Sequence, residues 1–240
     1  MCCGIFACSI ANRSDTSQHQ RLDEDALPPP EAGRFRLQYQ ATTRGPAPLY
    51  RTFAARPQPP YPMITVISGT NRPDSRTVIF ARYYAEELQR AGAQVKVLDL
   101  AELHHGYFQG KMYDPLGNDP QLVEWQREYV KRADKLAVFV PEYNGSYPGV
   151  LKLFLDGISV VDYVGNFGGK HVALIGVSTG RAGNLRGIDH LADVFAHMGA
   201  WVLPNRLPLS SVEGLLEGQS VKDENTKSAL RKQAQQLIEA

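Results

Sequence analysis

The chain has 240 residues, with 26 Lys+Arg against 25 Asp+Glu and a formal net charge of +1. That balance removes the general electrostatic case for nucleic acid or an anionic membrane surface as partner. No apolar run approaches the ~20 residues of a spanning helix, which argues against membrane insertion.

Residues 1–60 differ from the rest. They hold 8 of the 16 prolines, 3 of the 21 glycines, seven arginines and no lysine. No helical or strand periodicity is sustained there, and so few aliphatic clusters cannot offset the entropy of ordering. The segment reads as a disordered Pro/Arg-rich leader, with Met63 as an alternative start of the natural chain. Cys2, Cys3 and Cys8 all lie in it. A disulfide framework needs paired cysteines in a folded unit, so their placement points to a reducing, cytoplasmic setting. The opening Cys3-Gly4-Ile5-Phe6-Ala7 is similar to the start of class II glutamine amidotransferases, but Cys2 precedes it and no matching sheet pattern follows.

From Met63 the pattern changes to alternating strands and helices. Met63–Ile67 is a short β-branched run ending at Ser68-Gly69, suited to a buried parallel strand. Val78, Ala81, Ala85 and Leu88 mark one face of a helix closed by Ala91-Gly92. Gln94–Leu98 is a second strand, and residues 104–119 read as a long loop. Asp119-Pro120 supplies a cap and a first-turn proline for a helix running to about Ala133. Lys135–Val140 is a third strand, stopped by Pro141, and a helix follows Pro148. His171–Val177 is a fourth strand. Leu185, Ile188, Leu191, Phe195 and Met198 mark the next helix. Trp201–Leu203 makes a short fifth strand, and Ser220 to Ile238 a last helix. The expectation for 63–240 is one α/β domain, a three-layer sandwich around a five-stranded parallel sheet.

Such sheets bind ligands beyond the carboxyl ends of their strands, so the loops after strands one, three and four are where chemistry belongs. The first, Ser68 to Thr77, offers hydroxyls, Arg72 and Arg76 at a helix N-terminus, which suits a phosphate. It carries neither G-x-G-x-x-G nor a Walker A sequence. The bland alternative is that Ser75 only caps the helix and Arg72 is a solvated surface residue. The second loop, Pro141 to Gly149, is stiffened by two prolines, two glycines and two tyrosines. It suits the polar edge and the face of a flat heterocycle. The third, Ser178-Thr179-Gly180-Arg181-Ala182-Gly183, supplies small residues where backbone approaches a ligand.

In series the three loops resemble the NADPH-dependent FMN reductase family of flavodoxin-like proteins, which includes quinone, azo-dye and chromate reductases. Gly69, Arg72 and Ser75 match the family's G-S-x-R-x-x-S loop, with Thr70 in place of serine. Pro141 to Lys152 matches P-E-Y-N-x-S-x-P-G-x-L-K without a gap, and the third loop matches S-x-G. After Lys152 the family's Asn-Ala-Ile-Asp-Trp is replaced by Leu153-Phe-Leu-Asp156-Gly157, which bears on the substrate pocket and on oligomer contacts.

The resemblance implies a flavodoxin-like fold and noncovalent FMN. The FMN phosphate would lie on Gly69, Thr70, Arg72, Ser75 and Thr77. The ring would lie by Pro141, Glu142, Tyr143, Asn144 and Gly145, chiefly against backbone, and by Ser178, Thr179 and Gly180. It implies NADPH or NADH as a transient hydride donor, a small-molecule acceptor such as a quinone or flavin, and a homodimer or homotetramer. No catalytic side chain is expected, because the cofactor carries the chemistry, and no metal: the adjacent His104-His105 do not make a ligand set. Arg181 and Arg186 are the candidates for favouring a 2′-phosphate, and Tyr147 reads as packing. The alternatives are a flavodoxin-like electron carrier without NAD(P)H turnover, and an interaction module that has lost the cofactor.

Overall fold

In the computed structural model, which describes residues 62–104, 106, 108, 113 and 119–240, the β-branched run after Pro62 forms β1 (Met63–Ser68). The expected leader at 1–60 and most of the 104–119 loop lie outside the described residues. β2 (Gln94–Asp99), β3 (Lys135–Pro141), β4 (His171–Val177) and β5 (Trp201–Val202) follow, in the spatial order β2-β1-β3-β4-β5. Every ladder in this sheet is parallel. Strands covered on both faces read as continuous apolar runs, and β3 and β4 are nearly so from end to end.

Alternation along the strands builds two cores. On one face Ile64, Val66, Ala137, Phe139, Ala173 and Ile175 pack against α1 (Arg76–Arg90) and α6 (Glu224–Glu239). On the other, Leu136, Val138, Val140, Val172 and Leu174 pack against α3 (Gly149–Ser159) and α5 (Leu185–His197). The short α2 (Pro120–Trp125) and α4 (Tyr163–Phe167) join that second layer. Tyr84 meets Phe139 edge-on, with centroids 5.4 Å apart. The result is the expected three-layer sandwich.

α1 begins after Ser75 and ends where Gly92, at φ 94°, turns the chain; its N–H bonds to Gln89 O, and Ala93 N–H to Leu88 O. That pair of bonds is the glycine-closed helix end the sequence announces. α2 starts as expected, with the Asp119 carboxylate accepting from Gln121 N and Leu122 N.

Three expectations need correction. The helix does not run evenly to Ala133. After Trp125 it widens into a π-helical turn, Gln126–Lys131, at which the buried Gln126 amide donates to Ile158 O and Asn166 Oδ1. π-Helical turns of this kind occur as local widenings within α-helices. The fifth strand is interrupted. Pro204 has no N–H for the ladder, Arg206 N turns back to Pro204 O, and pairing with β4 resumes as β6 (Leu207–Leu209). The last helix starts at Glu224, not Ser220, because Asp223 accepts from Thr226 N at 2.7 Å. The preceding residues form a small hairpin, β7 (Leu216–Glu217) with β8 (Ser220–Val221).

Candidate active site

The carboxyl ends of β1, β3 and β4 bring the three loops to one place. After β1, Gly69 N donates to Phe139 O, and a Cβ at Gly69 would lie 2.9 Å from that same oxygen, so only glycine passes here. Thr70 is 1% exposed. Its Oγ1 accepts from Arg72 N at 3.2 Å and lies 2.9 Å from the Tyr143 hydroxyl. The loop then passes through Asp74 at φ 52°, a left-handed conformation costly for a residue other than glycine. Ser75 occupies the N-cap position of α1 in extended backbone, yet its side chain makes no capping hydrogen bond. The bland alternative for Ser75 is therefore not what the structure shows. Thr77 is buried in the first turn of α1, and Arg72 is exposed.

After β3, Tyr143 and Ser146 exchange both backbone hydrogen bonds at 3.0 Å across Asn144 (φ 52°) and Gly145 (φ 74°). This is a two-residue turn of the Asn-Gly type, with both central residues left-handed. The Tyr143 N–H is consumed by the turn. On its outer side the Ser146 hydroxyl lies 3.0 Å from His190 Nδ1. Tyr147 packs against the core, as expected.

After β4, Ser178 Oγ donates to Glu142 Oε2 at 2.8 Å and accepts from Gly180 N at 3.0 Å. Ser178 N donates to Leu209 O, Ser211 N to Gly180 O and Val212 N to Ser178 O, pinning the third loop to the end of β6. A Cβ on Gly176 would overlap the Gly183 carbonyl oxygen, so this glycine lets the third loop fold back over β4. Asn184, buried and left-handed at φ 59°, opens α5 and donates to Val140 O at 2.9 Å.

Between the loops lies a cleft of about 680 Å³, within the ~300–1,000 Å³ common for small-molecule sites. Thr70, Arg72, Ser75 and Thr77 line it from the first loop, Pro141, Glu142 and Tyr143 from the second, Ser178 and Thr179 from the third. Gly69, Asn144, Gly145 and Gly180 belong to the same loops without lining it: Gly69 is buried beneath, and Asn144-Gly145 form the turn tip.

The sequence reading missed a fourth wall. Val212, Glu213, Leu216, Gly218 and Gln219 face the first loop across the cleft, and Glu213 pairs with Arg76 at 3.2 Å. A hairpin with two-residue strands carries no periodicity, and its one signal was Gly218, at φ 58°. Among the described residues no group of three or more His, Cys, Asp or Glu side chains could hold a metal ion, and His104 pairs with Asp119.

Residues 62–213 match the family model for NADPH-dependent FMN reductase. The chain belongs to that family. It is accordingly an oxidoreductase whose cofactors are FMN and NAD(P)H. A NADPH azoreductase of Bacillus sp. (strain OY1-2) is 27% identical over 161 residues, 62% of this chain and 77% of that protein. A 2-hydroxy-1,4-benzoquinone reductase of Burkholderia sp. is 31% identical over 135 residues, 56% and 70% respectively. Two solved structures show the fold. The flavoenzyme NAD(P)H:(acceptor) oxidoreductase FerB of Paracoccus denitrificans superposes with a TM-score of 0.60 at 22% identity, over 74% of this chain and 96% of that one. A flavodoxin from the domain Archaea gives 0.50 at 15% identity, again over 74% and 96%.

The residues present fit the family's cofactor. The uncapped N-terminus of the 15-residue α1, the Ser75 and Thr77 hydroxyls and the Arg72 guanidinium are a donor set for a phosphate. No hydrogen bond or ion pair ties up those three side chains among the described residues.

Proposed function

We propose that this protein is an NAD(P)H-dependent FMN reductase that delivers reducing equivalents to quinones, azo compounds, flavins or similar small acceptors. The observation that carries the proposal is the convergence of the loops after β1, β3 and β4 on one cleft, with phosphate donors at one end. FMN, when bound, supplies the hydride chemistry, so no side chain is assigned an acid, base or metal-binding role. Arg72, Ser75 and Thr77 hold the phosphate. A charge-assisted bond from Arg72 contributes about 1.5–3 kcal/mol. Glu142 and Ser178, bonded to each other, keep the second and third loops in register around the ring. The hairpin wall of Leu216, Gly218 and Gln219 bounds the space left for nucleotide and acceptor.

A homodimer or homotetramer is part of the reading, supported by the exposed Val164, Leu185 and Trp201. So is a cytoplasmic location, supported by the confinement of cysteine to residues 2, 3 and 8; among the described residues no helix is long and apolar enough to cross a membrane. The deciding experiment is the visible spectrum of the purified or FMN-reconstituted protein, followed by anaerobic NADPH and NADH. Bleaching of bound flavin supports the proposal. Bound flavin that neither nucleotide bleaches would leave an electron carrier, and a protein that takes up no flavin would end both readings.

A further inference from the structure

The Tyr143 side chain crosses from the second loop to the first. Its backbone is fixed by the paired bonds with Ser146, while its hydroxyl lies 2.9 Å from Thr70 Oγ1. Thr70 Oγ1 also accepts from Arg72 N at 3.2 Å. These contacts form one relay from the Tyr143 hydroxyl through Thr70 to the backbone of Arg72. At 1% exposure Thr70 is nearly shut off from water, so the relay fixes its hydroxyl. A buried hydroxyl left without a partner is costly, and a satisfied one holds its neighbours in place. The sequence pattern points chiefly to the backbone of Tyr143; the phenol hydroxyl is an additional functional group.

We infer that the Tyr143 hydroxyl is a positioning residue for the phosphate end of the cleft, acting through Thr70 to hold the turn that carries Arg72. The inference rests on the FMN reading. Its consequence is that an aromatic on the ring-side loop controls how well the site distinguishes a phosphorylated flavin from an unphosphorylated one.

The test uses the full chain stripped of flavin, with dissociation constants for FMN and riboflavin measured on wild type, Tyr143→Phe, Thr70→Val and the double variant. Tyr143→Phe keeps the ring and removes only the hydroxyl. FMN affinity should fall about fivefold, in the range of one neutral hydrogen bond, while riboflavin affinity stays put. The double variant should be no weaker for FMN than Thr70→Val alone, since Tyr143 acts through Thr70. Equal losses for both ligands would reduce Tyr143 to a packing residue and overturn the inference. An undiminished FMN preference, or additive losses in the double variant, would overturn it as well. A wild-type chain that binds riboflavin as tightly as FMN, or binds neither, would instead remove the FMN reading, and this inference with it.

Discussion

Glu142 accepts a hydrogen bond from Ser178 Oγ at 2.8 Å, tying the loop after β3 to the loop after β4. Ser178 in turn accepts from Gly180 N, so one carboxylate orders the turn at the third loop. Glu142→Ala should weaken FMN binding by about 1.5–3 kcal/mol, the range for a hydrogen bond to a charged group. Glu142→Gln, which keeps an acceptor, should lose less. Flavin fluorescence titration measures both, and equal losses would show that acceptance from Ser178 is not what matters.

Arg72→Ala should lower FMN affinity by roughly ten- to a hundredfold, as expected for the same class of bond. The exposed Arg72 side chain supports nothing else among the described residues. The melting temperature of the flavin-free protein should therefore be unchanged. Unaltered flavin occupancy on dilution would count against a phosphate at this end.

Gly176→Ala should be among the most damaging single-methyl changes in the chain. The new Cβ overlaps the Gly183 carbonyl, which is backbone and cannot step aside. Overpacking of this kind costs about 1–3 kcal/mol or more. The denaturant midpoint should fall, and flavin occupancy with it, because the third loop is displaced. A variant of normal stability would show that this loop has slack.

Tyr84 is fully buried, and its hydroxyl has no hydrogen-bond partner among the described residues. Burial pushes this phenol's pKa well above its ordinary value of 10. The unfolded chain then releases the proton near pH 10 while the folded chain keeps it, so the folded state binds more protons and stability falls as pH rises above 10. The slope is at most about 1.4 kcal/mol per pH unit for the one group. Tyr83, pushed up to about 12 by burial and a hydrogen bond to Glu87, acts in the same direction between pH 10 and 12. Tyr84→Phe should raise stability at neutral pH by roughly 1 kcal/mol, because it removes an unsatisfied buried hydroxyl. It should also flatten the loss above pH 10. Urea midpoints at pH 7, 10 and 11 check both outcomes.

The parallel strands and the helices between them were legible because Val66, Val138, Leu174 and their neighbours form apolar runs, and Val78, Ala81, Ala85 and Leu88 keep a helical period; the spatial order of the strands was not. The three loops were legible because their residue types are unusual at strand ends. The fourth wall was not. Its strands are two residues long, and Pro208 within β6 argues against a strand by the usual rule. The paired hydroxyls of Tyr143 and Thr70 stand 73 positions apart, and no local pattern joins residues at that distance. Ser75 shows the opposite case. Its position is that of a helix cap, and only the folded structure shows that its side chain does not act as one.

The interruption of the edge strand at Pro204 has a consequence for how this enzyme can diverge. Everything between Leu209 and Val221 hangs beyond the last parallel strand, secured to the third loop by Ser178 and Gly180 and to α1 by the Arg76–Glu213 pair. Val212 and Val221 anchor it in the core, but exchanges at its exposed tip, Glu217 to Ser220, alter the mouth of the cleft without touching a central ladder. On the proposed function, the stretch that bounds the acceptor space thus lies outside the frame of the sheet, whereas the loops proposed to hold the flavin are its strand ends.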